Sequence, residues 1–236
     1  MKPAPFEYVA VDDWTAAIEA LREDGAQLLA GGQSLIPLLK QRLVRPKRLV
    51  DISGIPGLIE RRDGVLRIDA TVRQAALERS TLAAAGWPLL RQAIVHVGHA
   101  ATRARGTVGG SVAHADPRAE LPCALAALDA RFDWSGDVLT AIELPSLPEG
   151  AKTAFAEYAR TAGDYAEAAV AVVLAPDHAA VSVLGAGRAS AAESALHQGA
   201  STTDAAALAA ETVEGDHLRA LVAELTRRAL TEAGRA

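Results

Sequence analysis

Cysteine is almost missing from this chain, with Cys123 its single thiol in 236 residues. One thiol excludes an intramolecular disulfide, an all-cysteine zinc site and any iron–sulfur cluster held by this chain alone. Long apolar runs are missing too. No uninterrupted stretch reaches the roughly 18 residues that a membrane span needs, and the start, Met1-Lys2-Pro3-Ala4-Pro5, lacks the apolar segment of a secretory signal. A soluble, cytoplasmic protein without a membrane span is expected. Positive charge is also short: 24 Lys and Arg stand against 29 Asp and Glu, a net charge of −5. A nucleic-acid surface would need clustered, unopposed cations, and the one basic-leaning stretch, Lys40 to Arg48, reads as a solvated helix end.

What the chain does have is a stretch on which the rest can be organised, Leu28-Leu29-Ala30-Gly31-Gly32-Gln33-Ser34-Leu35-Ile36-Pro37-Leu38-Leu39. A strand-like apolar run stops at two glycines and a serine, and a helical pattern of Leu35, Leu38 and Leu39 takes over. Glycines let the backbone approach a ligand closely, and Ser34 is placed to cap the helix with N–H groups facing outward. Such a turn suits a phosphate or pyrophosphate, although a tight turn with an ordinary cap has the same sequence. It is neither a P-loop nor a Rossmann fingerprint, since Gly-Lys-Ser/Thr and G-x-G-x-x-G are both missing from it.

Around this turn the pattern is α/β. Phe6 to Val9 reads as a short strand, Asp12 or Asp13 caps a helix to about Glu23, Gln27 to Ala30 is a strand, and a helix runs from Leu35 to about Arg42 before a third strand, Arg48 to Asp51. Leu58 to Glu60 and Val65 to Asp69 flank Asp63-Gly64 as a hairpin. Thr71-Val72-Arg73-Gln74 has the form of a capping box opening a helix to about Ser80, and Pro88 starts another that Gly98 ends. Gly98 to Glu120 has no clean period and reads as an ordered functional loop. Within it Gly109 and Gly110, beside Thr107 and Ser111, offer main-chain N–H groups and hydroxyls to a heterocycle or a second phosphate. A helix from Leu121 to Leu128 and strands at Arg131 to Asp133 and Val138 to Glu143 follow. Pro145, Pro148 and Gly150 mark a boundary. Beyond it come three strands, Ala154 to Arg160, Ala168 to Leu174 and Ala180 to Leu184, the middle one alanine-rich enough that helix competes. The last forty or so residues are helical, with Leu218, Leu221, Val222, Leu225 and Leu230 on one face.

Taken together, Ala-Gly-Gly-x-Ser-Leu with Leu-x-Asp-Ile some twenty residues on, then Arg-x-x-Gly-Thr-Val-Gly-Gly-x-x-Ala-His-x-Asp-Pro, resembles the FAD-binding medium subunit of molybdenum hydroxylases, the carbon monoxide dehydrogenase and xanthine dehydrogenase family. The likeness covers nearly all of residues 5 to 130 and returns more faintly near Tyr158 to Val173, where Arg160 to Ala166 looks like the family's Gly-Asp-aromatic-Ala segment. It implies an α+β, two-lobed FAD-binding fold of the vanillyl-alcohol oxidase (PCMH) type, with a small C-terminal sheet plus helices. Residues 1–145 would be the FAD-binding domain, its lobes about 1–55 and 56–145, and 146–236 the C-terminal α/β domain. Ala30, Gly31, Gly32, Gln33 and Ser34 would lie on the pyrophosphate, and Leu35 beside them would also contact the cofactor. Thr107, Val108, Gly109, Gly110 and Ser111 would form a second contact segment nearer the flavin and ribityl, with Asp116 at a polar position that adds a hydrogen bond and Tyr165 near the isoalloxazine. The resemblance also implies a heterotrimer. A large subunit would carry the molybdenum cofactor and a small one the [2Fe-2S] clusters, and electrons would pass through FAD to NAD, a quinone or oxygen. The single cysteine agrees that any clusters belong to a partner. Between Ala130 and Val138 the segment is shorter than is usual for the family, which alters how a flavin ring would be covered.

Other readings of the same residues stay open beside this one: a self-contained FAD-dependent oxidase or reductase of the same fold, or a non-catalytic nucleotide-binding protein. His96, His99, His114 and Asp116 could be drawn as a metal site, but the helix ends near Gly98 and no thiolate assists, so no metal is expected. Ser34 and Ser111 are not in a G-x-S-x-G elbow. Cys123 reads as a buried small side chain. Arg103 and Arg105 read as cofactor or partner contacts or as solvated loop residues. No side chain of this chain is expected to act as a catalytic acid or base.

Overall fold

A short parallel sheet builds the first lobe. In the computed structural model, which describes residues 2–235, β1 (Glu7–Ala10), α1 (Trp14–Leu21), β2 (Ala26–Leu29), α2 (Leu35–Gln41) and β3 (Arg48–Asp51) follow one another. Strand β3 lies between β1 and β2 and runs parallel to both. The Asp13 carboxylate caps α1 by accepting from the Ala16 N–H at 2.8 Å, and Ala17, Val50, Ile52 and Ile55 close a small core beneath that helix. Parallel pairing brings the carboxyl ends of all three strands to one edge, so the turn after Leu29 opens there, where α/β sheets hold ligands.

The second lobe is antiparallel. Strands β4 (Ile59–Arg62) and β5 (Val65–Asp69) form the expected hairpin, with Asp63 and Gly64 both at positive φ. Then come α3 (Gln74–Arg79), α4 (Thr81–Gly86), α5 (Pro88–Ile94), α6 (Ala100–Arg105), α7 (Val108–His114) and α8 (Glu120–Ala127). Strands β6 (Arg131–Ser135) and β7 (Val138–Leu144) complete a sheet of order β4-β5-β7-β6. Some expectations are corrected here. Gly98 to Glu120 is ordered but is not a loop, because α6 and α7 occupy most of it; at six and seven residues they are too short to leave a helical period in the sequence. Thr71 opens no capping box. Its hydroxyl is buried without a partner among the described residues, α3 starts only at Gln74, and the Gln74 N–H donates instead to the Gly106 carbonyl at 2.9 Å.

The C-terminal part is a sheet of order β11-β10-β9-β8, from β8 (Lys152–Tyr158), β9 (Ala168–Ala175), β10 (His178–Val183) and the short, unexpected β11 (Gly187–Arg188). Helices α9 (Ser190–His197), α10 (Thr202–Ala210) and α11 (Asp216–Arg235) cover one face. Strand β9 is alanine-rich yet extended, because both of its faces are buried. Ala169, Ala171 and Val173 join a core with Leu121, Leu125 and Phe155, while Ala168, Val170 and Val172 pack with Val222, Leu225 and Leu230. The larger core therefore runs without a break from the second lobe into the C-terminal sheet. No helix among the described residues is long and apolar enough to cross a membrane.

One buried atom in this layer makes a simple prediction. Thr226 on α11 is fully buried and its hydroxyl has no hydrogen-bond partner among the described residues. Thr226→Val keeps the shape and removes the desolvated polar atom, so it should raise stability by about 1 kcal/mol in urea unfolding. A loss of stability would mean that the hydroxyl is bonded after all.

Candidate functional site

The glycine turn after β2 is held open by its backbone. Gly32 sits at φ 71°, a conformation that costs glycine nothing and any other residue strain. The carbonyl of Gly32 accepts from the Ile36 N–H at 3.1 Å, and the Gln33 side chain folds back to the Gly31 carbonyl at 3.3 Å. Ser34 occupies the position before α2 but is itself helical, and its hydroxyl makes no cap, which corrects the expected role. Accordingly, the N–H groups of Gly31, Gly32, Gln33 and Ser34 donate to no acceptor among the described residues. Main-chain donors left this way require a partner from outside the chain.

The second glycine segment meets this turn directly. A Cβ on Gly31 would collide with the Arg105 carbonyl oxygen and lie 2.7 Å from Gly106 Cα, and a Cβ on Gly110 would come within 3.8 Å of Ala30 Cβ. Unlike the first turn, the second spends its own donors. Thr107 caps α7 through Gly110 N–H at 3.1 Å, Ser111 N–H goes to the Thr107 carbonyl, Gly109 N–H to the Ala70 carbonyl and Val108 N–H to the Val72 carbonyl. The expectation of free amides at Gly109 and Gly110 is therefore corrected. What these glycines permit is close packing within the chain: a Cβ on Gly109 would lie 2.7 Å from Ala70 Cα and one on Gly110 2.6 Å from Thr107 Oγ1.

Between the two segments lies a cavity of about 550 Å³. Of the residues singled out in the sequence, Ala30, Gly31, Gly32, Gln33, Ser34, Leu35, Thr107, Gly109, Gly110, Ser111, Asp116 and Tyr165 all line it. Val108 does not; it is buried in the core beneath. Gln74, Thr102, Glu120, Gly163 and Asp164, none of them singled out individually as a cofactor contact, line it as well. Gln74 is buried and its Oε1 has no partner among the described residues, so the wall carries an acceptor waiting for a donor. Gly163 at positive φ leaves space for the His99 ring, which would clash with any Cβ there, and this contact seats the 160–167 segment of the C-terminal part at the cavity.

Asp116 and Tyr165 are joined by a residue the sequence reading passed over. Arg118 forks onto the Asp116 carboxylate at 3.0 and 2.9 Å and lies over the Tyr165 ring at 3.9 Å from its centroid. The guanidinium holds the Asp116 carboxyl below its ordinary range. Arg103 is likewise structural, clamped on Glu78 at 2.9 and 3.1 Å and on the carbonyls of Val97 and Gly98. Burial pushes the Glu120 carboxyl up to about 7, and Glu157 pushes His96 above its usual value. Burial likewise raises the Cys123 thiol to about 12, so it is no nucleophile at neutral pH. His96, His99 and Asp116 have the separate partners Glu157, Gly163 and Arg118. No group of three or more His, Cys, Asp or Glu able to hold a metal occurs among the described residues.

Comparison with known proteins agrees with this geometry. Residues 4–154 match the family model described as the FAD binding domain in molybdopterin dehydrogenase. Among curated proteins, the chain is 38% identical to the alpha subunit of the 6-hydroxypseudooxynicotine dehydrogenase complex of Paenarthrobacter nicotinovorans, over 79% of this chain and 75% of that one. It is 34% identical to the carbon monoxide dehydrogenase medium chain of Afipia carboxidovorans, over 74% and 70%. Among solved structures, carbon monoxide dehydrogenase of Hydrogenophaga pseudoflava superposes with a TM-score of 0.91 at 28% identity, covering 100% of this chain and 99% of that one. Quinoline 2-oxidoreductase of Pseudomonas putida gives 0.90 at 30% identity, again over 100% and 99%.

Proposed function

Because the chain belongs to the family of FAD binding domains in molybdopterin dehydrogenases, we propose that it is the flavoprotein subunit of a molybdenum hydroxylase complex, taking electrons from [2Fe-2S] clusters on a small partner through FAD to an external acceptor. A large partner carries the molybdenum cofactor and oxidises the substrate. The observation that carries this reading is that Gly31 to Ser34, whose N–H groups find no acceptor among the described residues, line one cavity together with the second glycine segment.

The residues present fit FAD. Four unpartnered main-chain donors suit a pyrophosphate, whose charge makes such bonds stronger than neutral ones. Gly109 and Gly110 let the second segment pack closely on Ala70 and Thr107 at the cavity wall, and Val108 anchors it from below. The orphaned Gln74 oxygen accepts from a sugar or ribityl hydroxyl. Asp116 acts through Arg118, which holds Tyr165 at the cavity beside the ring. On this reading residues 1–145 form the FAD-binding domain and 146–236 the C-terminal domain that supplies the Tyr165 segment. Bound FAD supplies the exchange between one-electron and two-electron chemistry, while the protein positions it and sets its environment. With one cysteine the chain depends on a partner for clusters.

The test is direct. The purified chain should gain a flavin absorbance band at about 450 nm on incubation with FAD and should co-purify with an iron–sulfur subunit and a molybdenum subunit. Gly32→Asp places a carboxylate against the pyrophosphate in a strained backbone position, and should weaken FAD binding by about 100-fold or more. A chain that stays colourless with FAD ends the proposal, and one that binds FAD but turns over a small substrate unaided ends the relay role.

A further inference from the structure

The segment from Ala159 to Tyr165 brings Gly163, Asp164 and Tyr165 to the cavity wall, yet little holds it there. Its base is firm: Tyr158 of β8 pairs with Ala168 of β9, and the Glu167 N–H donates to the Tyr158 carbonyl at 2.9 Å. Ala166, 3% exposed in the larger core, fixes the far end. Between these points the main chain makes one hydrogen bond among the described residues, from the Asp164 N–H to the Thr161 carbonyl at 3.1 Å, and it lies within the segment itself. Arg160 pairs with Glu167, back at the base. A stretch with so few bonds to its surroundings opens at low cost.

Two side-chain contacts tie the segment to the second lobe. Gly163 rests on the His99 ring, a packing contact. The other contact is directed. Arg118 lies over the Tyr165 ring at 3.9 Å from its centroid, and since Asp116 and Tyr165 line the cavity while Arg118 does not, the guanidinium backs the ring from outside it. Arg118 is itself anchored, with its fork on the Asp116 carboxylate at 3.0 and 2.9 Å and its own N–H donated to Asp116 Oδ1 at 2.9 Å. The turn beneath is braced as well. The Ala119 N–H donates to the Asp116 carbonyl at 3.0 Å, and the Pro117 carbonyl packs so closely on Gly185 that a Cβ there would lie 3.1 Å from it. A fixed cation therefore grips a ring on a loosely held loop.

We propose that Arg118 is a latch: by stacking on Tyr165 it holds residues 159–165 down as a flap on the cofactor cavity, and the flap lifts to let FAD enter and leave. The inference rests on the FAD reading above. With the flap down, Gly163, Asp164 and Tyr165 wall the cavity on that side; with it lifted, that side is open. A cation over an aromatic ring at a partly exposed site shifts such an equilibrium by about 3-fold to 30-fold, so the closed form is favoured without being locked. Because the stack lies outside the cavity, it is made alike in the filled and the empty protein. Releasing it raises the open fraction of both, and entry and exit gain by the same factor.

The experiment uses the full chain and FAD itself. Uptake is followed by flavin fluorescence after rapid mixing, and release by mixing the loaded chain with an excess of a scavenging apoflavoprotein. In Arg118→Ala both rates should rise together, by about 3-fold to 30-fold, with the dissociation constant nearly unchanged. Tyr165→Leu should also speed both, and Arg118→Ala added to it should speed them no further, because the two residues act as one pair. Rates unchanged in both single variants overturn the latch. So does faster release with unaltered uptake, since Arg118 would then serve only the bound state, and so does a double variant whose effects multiply. The Arg118 side chain is 55% exposed and Tyr165 52%, so each variant should fold, which thermal unfolding checks, and either one decides the question should the other fail. No uptake by the unaltered chain ends the FAD reading and this one with it; uptake with the wrong pattern among the variants ends this one alone.

Discussion

Gly31→Ala is expected to abolish measurable FAD binding, with a loss of affinity of at least about 100-fold, in a chain that still folds. The added methyl would meet the Arg105 carbonyl oxygen and sit 2.7 Å from Gly106 Cα, and both obstacles are backbone. A side-chain end could swing aside; two tethered main chains cannot. The only relief is for the 30–34 turn to move off the 105–111 segment, and overpacking of this kind costs about 1–3 kcal/mol of stability. Moving the turn takes the donors of Gly31 to Ser34 out of line with a pyrophosphate, and charge-assisted hydrogen bonds weaken steeply with such displacement. Gly86→Ala is the matched control, since its Cβ would meet nothing within 4 Å at the end of α4. Flavin titration by absorbance, with thermal unfolding beside it, separates the two effects. Unchanged affinity in Gly31→Ala would mean that the seam between the turns is not where FAD binds.

That seam also shows how far the sequence alone could be read. Both glycine motifs announce themselves, because glycine is the residue whose absence of a side chain matters, and here both sit where a Cβ cannot fit. What each contributes could not be read. The donors at Gly109 and Gly110 are spent on the Ala70 carbonyl and on Thr107 Oγ1 respectively, and the first depends on where Ala70 comes to rest. Thr71 illustrates the same limit from the other side. Its capping-box spacing is correct, yet the Gly106 carbonyl, more than thirty residues further on, takes the Gln74 N–H. Glu120 and Gln74 left no signal, since a polar residue at a helix start looks alike whether it faces water or a cavity. The hairpin at Asp63-Gly64 and the Asp13 cap were legible because they are settled within a few residues.

Trp87→Ala should remove about 3–5 kcal/mol of stability, and more than that where the Pro145 carbonyl is left unpaired. Trp87 is 1% exposed, packs in the larger core, and donates its indole N–H to the Pro145 carbonyl at 2.6 Å. Pro145 is where the chain leaves β7 for the C-terminal sheet, so one side chain both fills the core and ties the junction. Trp87→Phe keeps most of the apolar volume but loses the hydrogen bond, and should cost only about 1–2 kcal/mol. Small proteins have about 5–15 kcal/mol in all, so the alanine variant should melt many degrees lower. Because Leu121 and Leu125 share their core with Ala169, Ala171 and Val173, the second lobe and the C-terminal sheet should unfold in one transition. Two separate transitions would contradict the continuous core. The contrast with Gly31→Ala lies in the response to cofactor: Trp87→Ala leaves the cavity wall intact, so FAD at 100 times its dissociation constant should return about 2.7 kcal/mol by linkage. In Gly31→Ala the same concentration should return none, because the damage is to the binding seam itself.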